Sequence, residues 1–564
     1  MADFDAIVVG SGMSGGWVAK ELCERGLKVL VLERGREIVP ARDFEDMKHP
    51  WEREHFDRVS PADAEDYPLQ KTIYSFTDSS KKFWVKDEEH PYETPDSAPF
   101  NWRRGYHLGG RSLMWARQSY RLSDIDFAAN ARDGHGIDWP LRYADVAPWY
   151  DHVERFAGVS GSAEGLPQLP DGRFQPPMGL TCAEDAFARA VAERFPGRRV
   201  IPGRFANLTA PTEEQRALGR GPCQVRDHCH MGCSFGAYFS SNVATLPAAR
   251  RTGNLTVVTD AIVHSVEHDA ETNRATGVRV IDQHTKTHQT YTGRLVFLNA
   301  STINTAMILL QSATDAQPRG LANGSGQVGR NLMDHVGGAY AFGVIPGFED
   351  RYTWGRRANG FYIPRYRNLT EEGEGYVRGF GFQGMILRGG WSGGRPGVGA
   401  GFKAANRTPG PWYLRMWGFG EGLPDPANHV RPHPTRTDRW GLPVPIIEAR
   451  HGENERRLME QASRDAKSMA QAAGAKDIVS SEDGPFEVSA PGDLIHEMGT
   501  ARMGRDPRTS VVNRHCQAHD VPNLFISDGS VMASSACQNP SLTYMAFSAM
   551  AANHAADLVQ AGQA

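Results

Sequence analysis

Over the first 35 residues, apolar and polar positions fall in blocks. Asp5-Ala-Ile-Val-Val is a short apolar run, Gly10-Ser-Gly12-Met13-Ser14-Gly15 a turn with few side chains, and Met13 to Arg25 a helical stretch. A second apolar run, Val29 to Leu32, ends in Glu33-Arg34. Strand, glycine turn, helix, strand and acid in that order predict one βαβ unit that binds an adenine dinucleotide. Gly10 permits the tight turn, Gly12 lets the backbone approach a pyrophosphate, and Gly15 lets the helix pack close to the strand. The anion belongs at the helix N-terminus, beside Met13 and Ser14. Glu33, 18 residues after Gly15, stands where a carboxylate accepts hydrogen bonds from a ribose 2′-OH. This pattern alone does not separate NAD from FAD.

Residues 36–100 are polar and charged without a sustained period and are read as loop. Helices are predicted over the stretch that follows Tyr143, Asp145 to Arg155 with Asp145 as N-cap, and over Ala183–Phe195, Tyr238–Arg251, Asn304–Gln311 and Asn454–Ala472. Strands are predicted at Asn254–Val258, Ile262–Val266, Gly277–Val280 and Leu295–Leu298, the last entering a helix through Asn299-Ala300-Ser301 and so repeating the logic of the opening unit. From Val336 to about Ser480 strands with aromatic and glycine interruptions follow, clearest at Phe380–Leu387 and Trp412–Trp417. Tryptophans 354, 391, 412, 417 and 440 lie there; each is read first as a packing residue and second as a surface for sugar rings.

Composition narrows the class. The 60 glycines in 564 residues are about 11%, above the usual value of roughly 7%, and imply many tight turns. A net charge of −4 gives no long-range attraction to nucleic acid or anionic lipid, so neither is an expected partner. No apolar run approaches about 18 residues and the start has no basic-then-apolar pattern, so neither a membrane span nor an export signal is expected. Seven cysteines, an odd number, do not indicate a disulfide scaffold. Three of them form Cys223-x5-Cys229-x3-Cys233, with His228 and His230 between. Three thiolates on a glycine-containing loop suit iron-sulfur ligation, the histidines admit zinc, and a redox-inert loop is the third reading.

Four further segments carry the chemistry: Tyr106-His-Leu-Gly109-Gly110-Arg-Ser112-Leu-Met114-Trp115, His496-Glu-Met-Gly499-Thr500, Asn523 to Ser530, and Gln538-Asn539-Pro540-Ser-Leu-Thr543. In order and approximate spacing they resemble the flavin-contact and C-terminal motifs of the glucose-methanol-choline (GMC) oxidoreductases, over nearly the whole chain. The resemblance implies an α/β fold, α+β overall, with a Rossmann-like FAD-binding domain formed by 1–48, 101–130, 215–335 and 481–564. A sheet-bearing substrate domain and excursions take 49–100, 131–214 and 336–480. It makes the dinucleotide FAD, contacted also by Val258, Ala300, Asp528, Gly529, Pro540 and Thr543. His496 becomes the base for a hydroxyl proton, since neutral imidazole with an ordinary pKa near 6.5 can accept it. Asn539 donates a hydrogen bond to the developing alkoxide. Met114 stands where the pyranose oxidase branch carries a histidine bonded to the flavin, which implies noncovalent FAD. Glu497 has no role in the family pattern, and His335, in the turn Gly326 to His335, is read as structural.

The cysteine spacing is similar to that of bacterial FAD-dependent glucose dehydrogenase catalytic subunits and implies a 3Fe-4S cluster on Cys223, Cys229 and Cys233. The function implied is oxidation of a secondary hydroxyl of a sugar or glycoside to a keto-sugar by hydride transfer to flavin N5, at carbon 3 if the likeness to glycoside 3-dehydrogenases extends so far. An oxygen-using oxidase and a non-redox lyase are the alternatives. The same resemblance implies a small signal-bearing subunit and a cytochrome acceptor as partners. Location is then periplasmic by co-export, or else cytoplasmic.

Overall fold

In the computed structural model, residues 3–389, 397–407 and 409–563 are described. Trp391 lies outside them. The opening unit consists of β1 (Phe4–Val9), α1 (Met13–Glu24) and β2 (Val29–Leu32). Every side chain of β2 is buried, as expected of a parallel strand covered on both faces. Ala6 of β1 lies opposite Val29 on one side and Leu295 on the other. β3 (Leu255–Val258) adds parallel to β2 at the edge. β4 (Ala261–Asp269), β5 (Arg274–Asp282) and β6 (His288–Leu298) form the predicted meander, antiparallel to one another. β6 serves two sheets: its first residues pair with β5, and its last pair in parallel with β1. α2 (Thr302–Gln311) follows it.

Gly15 shows why the opening turn tolerates no side chain. A Cβ there would lie 1.9 Å from the Gly10 carbonyl oxygen, and backbone cannot move aside as a flexible side chain can. Gly15→Ala is therefore expected to cost about 1–3 kcal/mol through overpacking and to weaken retention of any nucleotide. Thermal melting with and without added nucleotide measures both effects.

The second sheet is antiparallel throughout. β7 (Tyr340–Ile345), β8 (Phe361–Ile363), β9 (Phe380–Arg388) and β10 (Trp412–Gly420) are joined at the ends by Ile201–Pro202 beside β8 and by β11 (Lys476–Ser480) beside β7. α3 (Glu453–Ala472) covers one face, burying Leu458, Met459, Ala462, Ala466 and Met469 among the buried side chains of β7, β9 and β10. β12 (Leu524–Ile526) then returns to the first sheet, in parallel beside β6. α4 (Ser541–Gln560), for which no element was predicted, packs in the core of that sheet against α1 and the helix Tyr143–Ala157. Among the described residues no helix is long and apolar enough to cross a membrane.

Two expectations are corrected in detail. Asp145 is not the N-cap of its helix. Arg142 takes that place and Asp145, three residues on, accepts the Arg142 backbone N–H at 2.8 Å. The helix expected from Tyr238 begins only at Thr245. Residues 238–242 instead bond the glycine segment: Tyr238 donates to the Leu113 carbonyl, the Ser241 N–H to Ser112 Oγ, and Asn242 to the Leu108 carbonyl. Those bonds override helical propensity. The tryptophans also separate: Trp412 and Trp440 are buried, while Trp354 is 87% exposed.

Candidate active site

A cavity of about 920 Å³ runs from the turn after β1 to His496 and Asn539. Gly10, Gly12, Met13, Ser14, Glu33 and Arg34 line one end. α1 has no side-chain cap at Gly12, so its first N–H groups are open to an anion. Glu33 is buried, which pushes its carboxyl up. One of its oxygens accepts from the Ser11 N–H and hydroxyl, at 3.0 and 2.5 Å, and the other from the Gly35 N–H at 3.0 Å. The Arg34 guanidinium lies over the Tyr106 ring at 4.6 Å, and its Nε is buried without a partner.

The glycine segment closes over this turn. Gly109, at φ +87°, donates its N–H to Ser11 Oγ at 2.8 Å, and a Cβ on it would overlap Asn242 Oδ1. Gly110, Ser112, Met114 and Trp115 line the cavity beyond, and the Trp115 indole donates to the Phe239 carbonyl. Asp528 and Gly529 face the same space from the end of β12, as does Ala300 from the end of β6. Asp528 accepts from Thr305 Oγ1 and the Ser530 N–H, and burial pushes its carboxyl up. Gly15, Gly109, Val258 and Thr543 stand behind this wall rather than on it; Thr543 instead shares a 2.8 Å hydrogen bond with Tyr150. An uncapped helix terminus, a turn stripped of Cβ atoms and a buried acid on the cavity wall together suit a dinucleotide with its pyrophosphate at Gly12.

At the far end, the segment after α2 runs antiparallel to residues 496–500, with Met333 paired to Met498 by both backbone hydrogen bonds. That register brings His335 to His496. Their Nδ1 atoms are 2.8 Å apart, and the other His335 nitrogen, Nε2, is 2.9 Å from the Ala536 carbonyl oxygen. His496 Nε2 lies 3.2 Å from Asn539 Nδ2, and Asn539 Oδ1 accepts from Gln383 at 2.6 Å. Asn539 and Pro540 sit at the N-terminus of α4, which aims them at the cavity.

The His496 loop is strained. Ile495, a β-branched residue, has φ +62°. Buried Asp334 holds it, accepting the backbone N–H groups of Gly492, Leu494 and His496 at 2.8, 3.1 and 2.9 Å. Burial and the neighbouring Glu497 raise the Asp334 carboxyl to about 7. Burial first, then the neighbouring His335 and Arg111, push the His496 imidazole well below its ordinary value, so it is neutral at working pH. Glu497 forms a two-point ion pair with Arg111, at 3.2 and 2.5 Å, so its carboxylate is already engaged.

The cavity wall opposite the glycine turn is the second sheet. Along β10 the even positions 412, 414 and 416 are buried, and Arg415, Trp417 and Phe419 point to the cavity. Gln383 and Met385 of β9, which pair with Trp417 and Arg415, extend the same face. Sequence reasoning named Trp417 but missed Arg111, Gln383, Arg415 and Tyr544. The imperfect strand-period alternation of Trp412 to Trp417 was the available signal for Arg415, and that of Phe380 to Leu387 for Gln383.

Cys223, Cys229 and Cys233 line one small second cavity, and Cys229 and His230 also reach the main one. All three are free thiols. Backbone N–H groups of Val225 and of Ala237 and Phe235 point at the Cys223 and Cys233 sulfurs, while burial pushes both thiols up. His228 is engaged by the Asp46 carbonyl, and His230 faces Asp57. Among the described residues no group of three or more His, Cys, Asp and Glu side chains is placed to hold a metal ion, so the arrangement of Cys223, Cys229 and Cys233 with His228 and His230 gives geometric support to neither zinc nor an iron-sulfur cluster.

The comparisons with known proteins agree with this architecture. The chain is 28% identical to the 2-methyl-1,2-propanediol dehydrogenase of Mycolicibacterium austroafricanum over 98% of its own length and 94% of that protein's. It is also 28% identical to the fructose dehydrogenase large subunit of Gluconobacter japonicus, covering 97% of both chains. The formate oxidase of Aspergillus oryzae RIB40 superposes with a TM-score of 0.62 at 15% identity, over 100% of this chain and 99% of that one, a likeness of fold. The N- and C-terminal family models, both described as GMC oxidoreductase, match residues 207–337 and 424–548. The chain belongs to the GMC oxidoreductases, an FAD-binding family, and is an oxidoreductase acting on CH–OH groups.

Proposed function

We propose that the chain is an FAD-dependent dehydrogenase that oxidises a secondary hydroxyl of a sugar or glycoside to a keto-sugar, with carbon 3 as the candidate position. The supporting observation is the pairing of a neutral His496 with Asn539, opposite a sheet face that offers Gln383, Arg415 and the Trp417 ring to a flat, polyhydroxylated substrate. FAD, held noncovalently beside Met114, supplies the two-electron acceptor. The chain does the rest. Asn539 Nδ2–H and His496 Nε2 grip one hydroxyl between them, and His496 takes its proton as the carbon is oxidised. A relative named for fructose fits this substrate class.

Cys223, Cys229 and Cys233 are the residues that would hold a 3Fe-4S cluster, which would supply a one-electron route outward from the flavin. What supports this reading is that the three thiols line one cavity, with N–H donors aimed at two of them, although as placed they would have to draw together to share a metal group. Cys229 also lies on the wall of the main cavity. A relative named as a large subunit supports a further subunit in the assembly; that this subunit bears an export signal, that a cytochrome is the acceptor and that the pair is periplasmic extend the proposal beyond that name.

Anaerobic bleaching of the flavin by a panel of sugars and glycosides, with product positions assigned by NMR, tests the substrate reading. Bleaching by simple alcohols alone would sink it. Oxygen uptake compared with dye reduction distinguishes dehydrogenase from oxidase. For the cluster, iron and acid-labile sulfide should copurify, with an EPR signal lost in Cys229→Ser although substrate still bleaches the flavin. An iron-free protein made under good cluster-assembly conditions would end that reading.

A further inference from the structure

Four hydrogen bonds in series link Gln383, Asn539, His496, His335 and the Ala536 carbonyl. The far end fixes the direction of the series, because a carbonyl oxygen can only accept. His335 Nε2, 2.9 Å from it, must therefore carry a proton. His335 is fully buried, and burial lowers its imidazole to about 4, so at working pH that proton is its only one. Its Nδ1 is then a bare lone pair facing His496 Nδ1 at 2.8 Å. Two bare nitrogens at that distance would repel, so His496 Nδ1 carries the proton and donates it. His496 Nε2 is left unprotonated, directed at Asn539 and the cavity.

We infer that His335 is a positioning residue which, by anchoring its own Nε2–H on the Ala536 carbonyl, fixes His496 in the tautomer whose bare Nε2 faces the substrate hydroxyl.

Free imidazole in water does not hold this tautomer to such an extent, and in the other one Nε2–H would meet the substrate hydroxyl with a donor where the reaction needs an acceptor. The opposite end of the series is fixed in the same sense. Gln383 donates to Asn539 Oδ1, which turns Asn539 Nδ2–H toward His496. Other charged groups near the pair do not break the series. Arg111 and Glu497 neutralise each other, and Asp334 spends its oxygens on backbone N–H groups. Ala536 has φ +54°, so its carbonyl is held in a conformation alanine rarely adopts, as expected where a backbone group is set for a particular partner.

The role of His335 in base catalysis rests on the dehydrogenase reading, but the tautomer itself does not. The first measurement is therefore made without substrate: two-bond ¹⁵N–¹H NMR of the holoenzyme with ¹⁵N-labelled histidine, the His496 signals being assigned by their loss in His496→Gln. His496 should be in the Nδ1–H form and His335 in the Nε2–H form. Finding His496 protonated at Nε2 would overturn the inference, whatever the enzyme turns out to oxidise. The second measurement is anaerobic flavin reduction. His335→Leu should slow it on the order of 10²-fold, typical of losing an orienting partner, with the KM for substrate little changed. His335→Asn, whose amide can accept from His496 and donate to Ala536, should restore most of the rate. Equal rates in His335→Leu and the wild type would also overturn it. If no hydroxyl compound reduces the wild-type flavin, the proposed function fails while the NMR result still decides the tautomer.

Discussion

Replacing His496 by alanine is expected to leave FAD bound and yellow while slowing its reduction by substrate roughly 10²–10⁴-fold, the usual scale for losing a general base. Cofactor retention follows from distance along the cavity: the groups suited to the pyrophosphate are at Gly12 to Ser14, Asp528 and Gly529, and none of them bonds to His496. The rate loss follows from the absence of a substitute. Glu497 is tied to Arg111, Asp334 accepts three backbone N–H groups around the loop, and His335 presents its second nitrogen to Ala536. Stopped-flow reduction under anaerobic conditions measures it, and an unchanged rate would remove His496 from the mechanism.

The same surroundings set the pH dependence. The base works when neutral, and its pKa is lowered by burial and by the neighbouring His335 and Arg111. Protonation therefore sets in only on acidification well below the ordinary imidazole range near 6.5. As far as His496 is concerned, the reduction rate should be level from about pH 8 down through 6.5 and fall only in more acidic buffer. The Asp334 carboxyl, raised to about 7, titrates in that window, so a limb near 6.5 that persists in Asp334→Asn would mean that His496 is solvated as an ordinary histidine.

The sequence displayed the two ends of the site but not their junction. Gly10 to Gly15 and Glu33 were readable because the turn, the helix terminus and the acid are local consequences of backbone geometry. His496 and Asn539 were readable only through resemblance, since a lone histidine or asparagine has no period. His335 was read as structural because nothing within its own segment connects it to residue 496; the connection is the antiparallel pairing of Met333 with Met498, a long-range register. Arg111 was hidden in the same way, its partner being 386 positions away. α4 escaped for a different reason. It is buried nearly all round, so its apolar residues form no stripe for a helical period to reveal. The Tyr238 to Ala244 stretch shows the reverse failure, an acceptable helix pattern overridden by hydrogen bonds to Leu108, Ser112 and Leu113.

Arg111→Met should then have the second-largest effect, and on two observables. Glu497 is 2% exposed at its side chain, and Arg111 is its only cationic partner among the described residues. Removing the guanidinium leaves a buried carboxylate unpaired, which typically costs about 3–5 kcal/mol, a sizeable fraction of total stability. Denaturant unfolding of the holoenzyme should register that loss, and Arg111→Met combined with Glu497→Gln should recover much of it because both charges are gone. The second observable has a sign of its own. Arg111 is one of the groups holding the His496 pKa down, so without it the imidazole is protonated at higher pH, helped by the now uncompensated Glu497 charge. The acid limb of flavin reduction should move up in Arg111→Met and part of the way back in the double variant. Stability loss with an unmoved limb would show that the ion pair props the loop without reaching the base; a moved limb would show that one ion pair both holds the site together and keeps its base unprotonated.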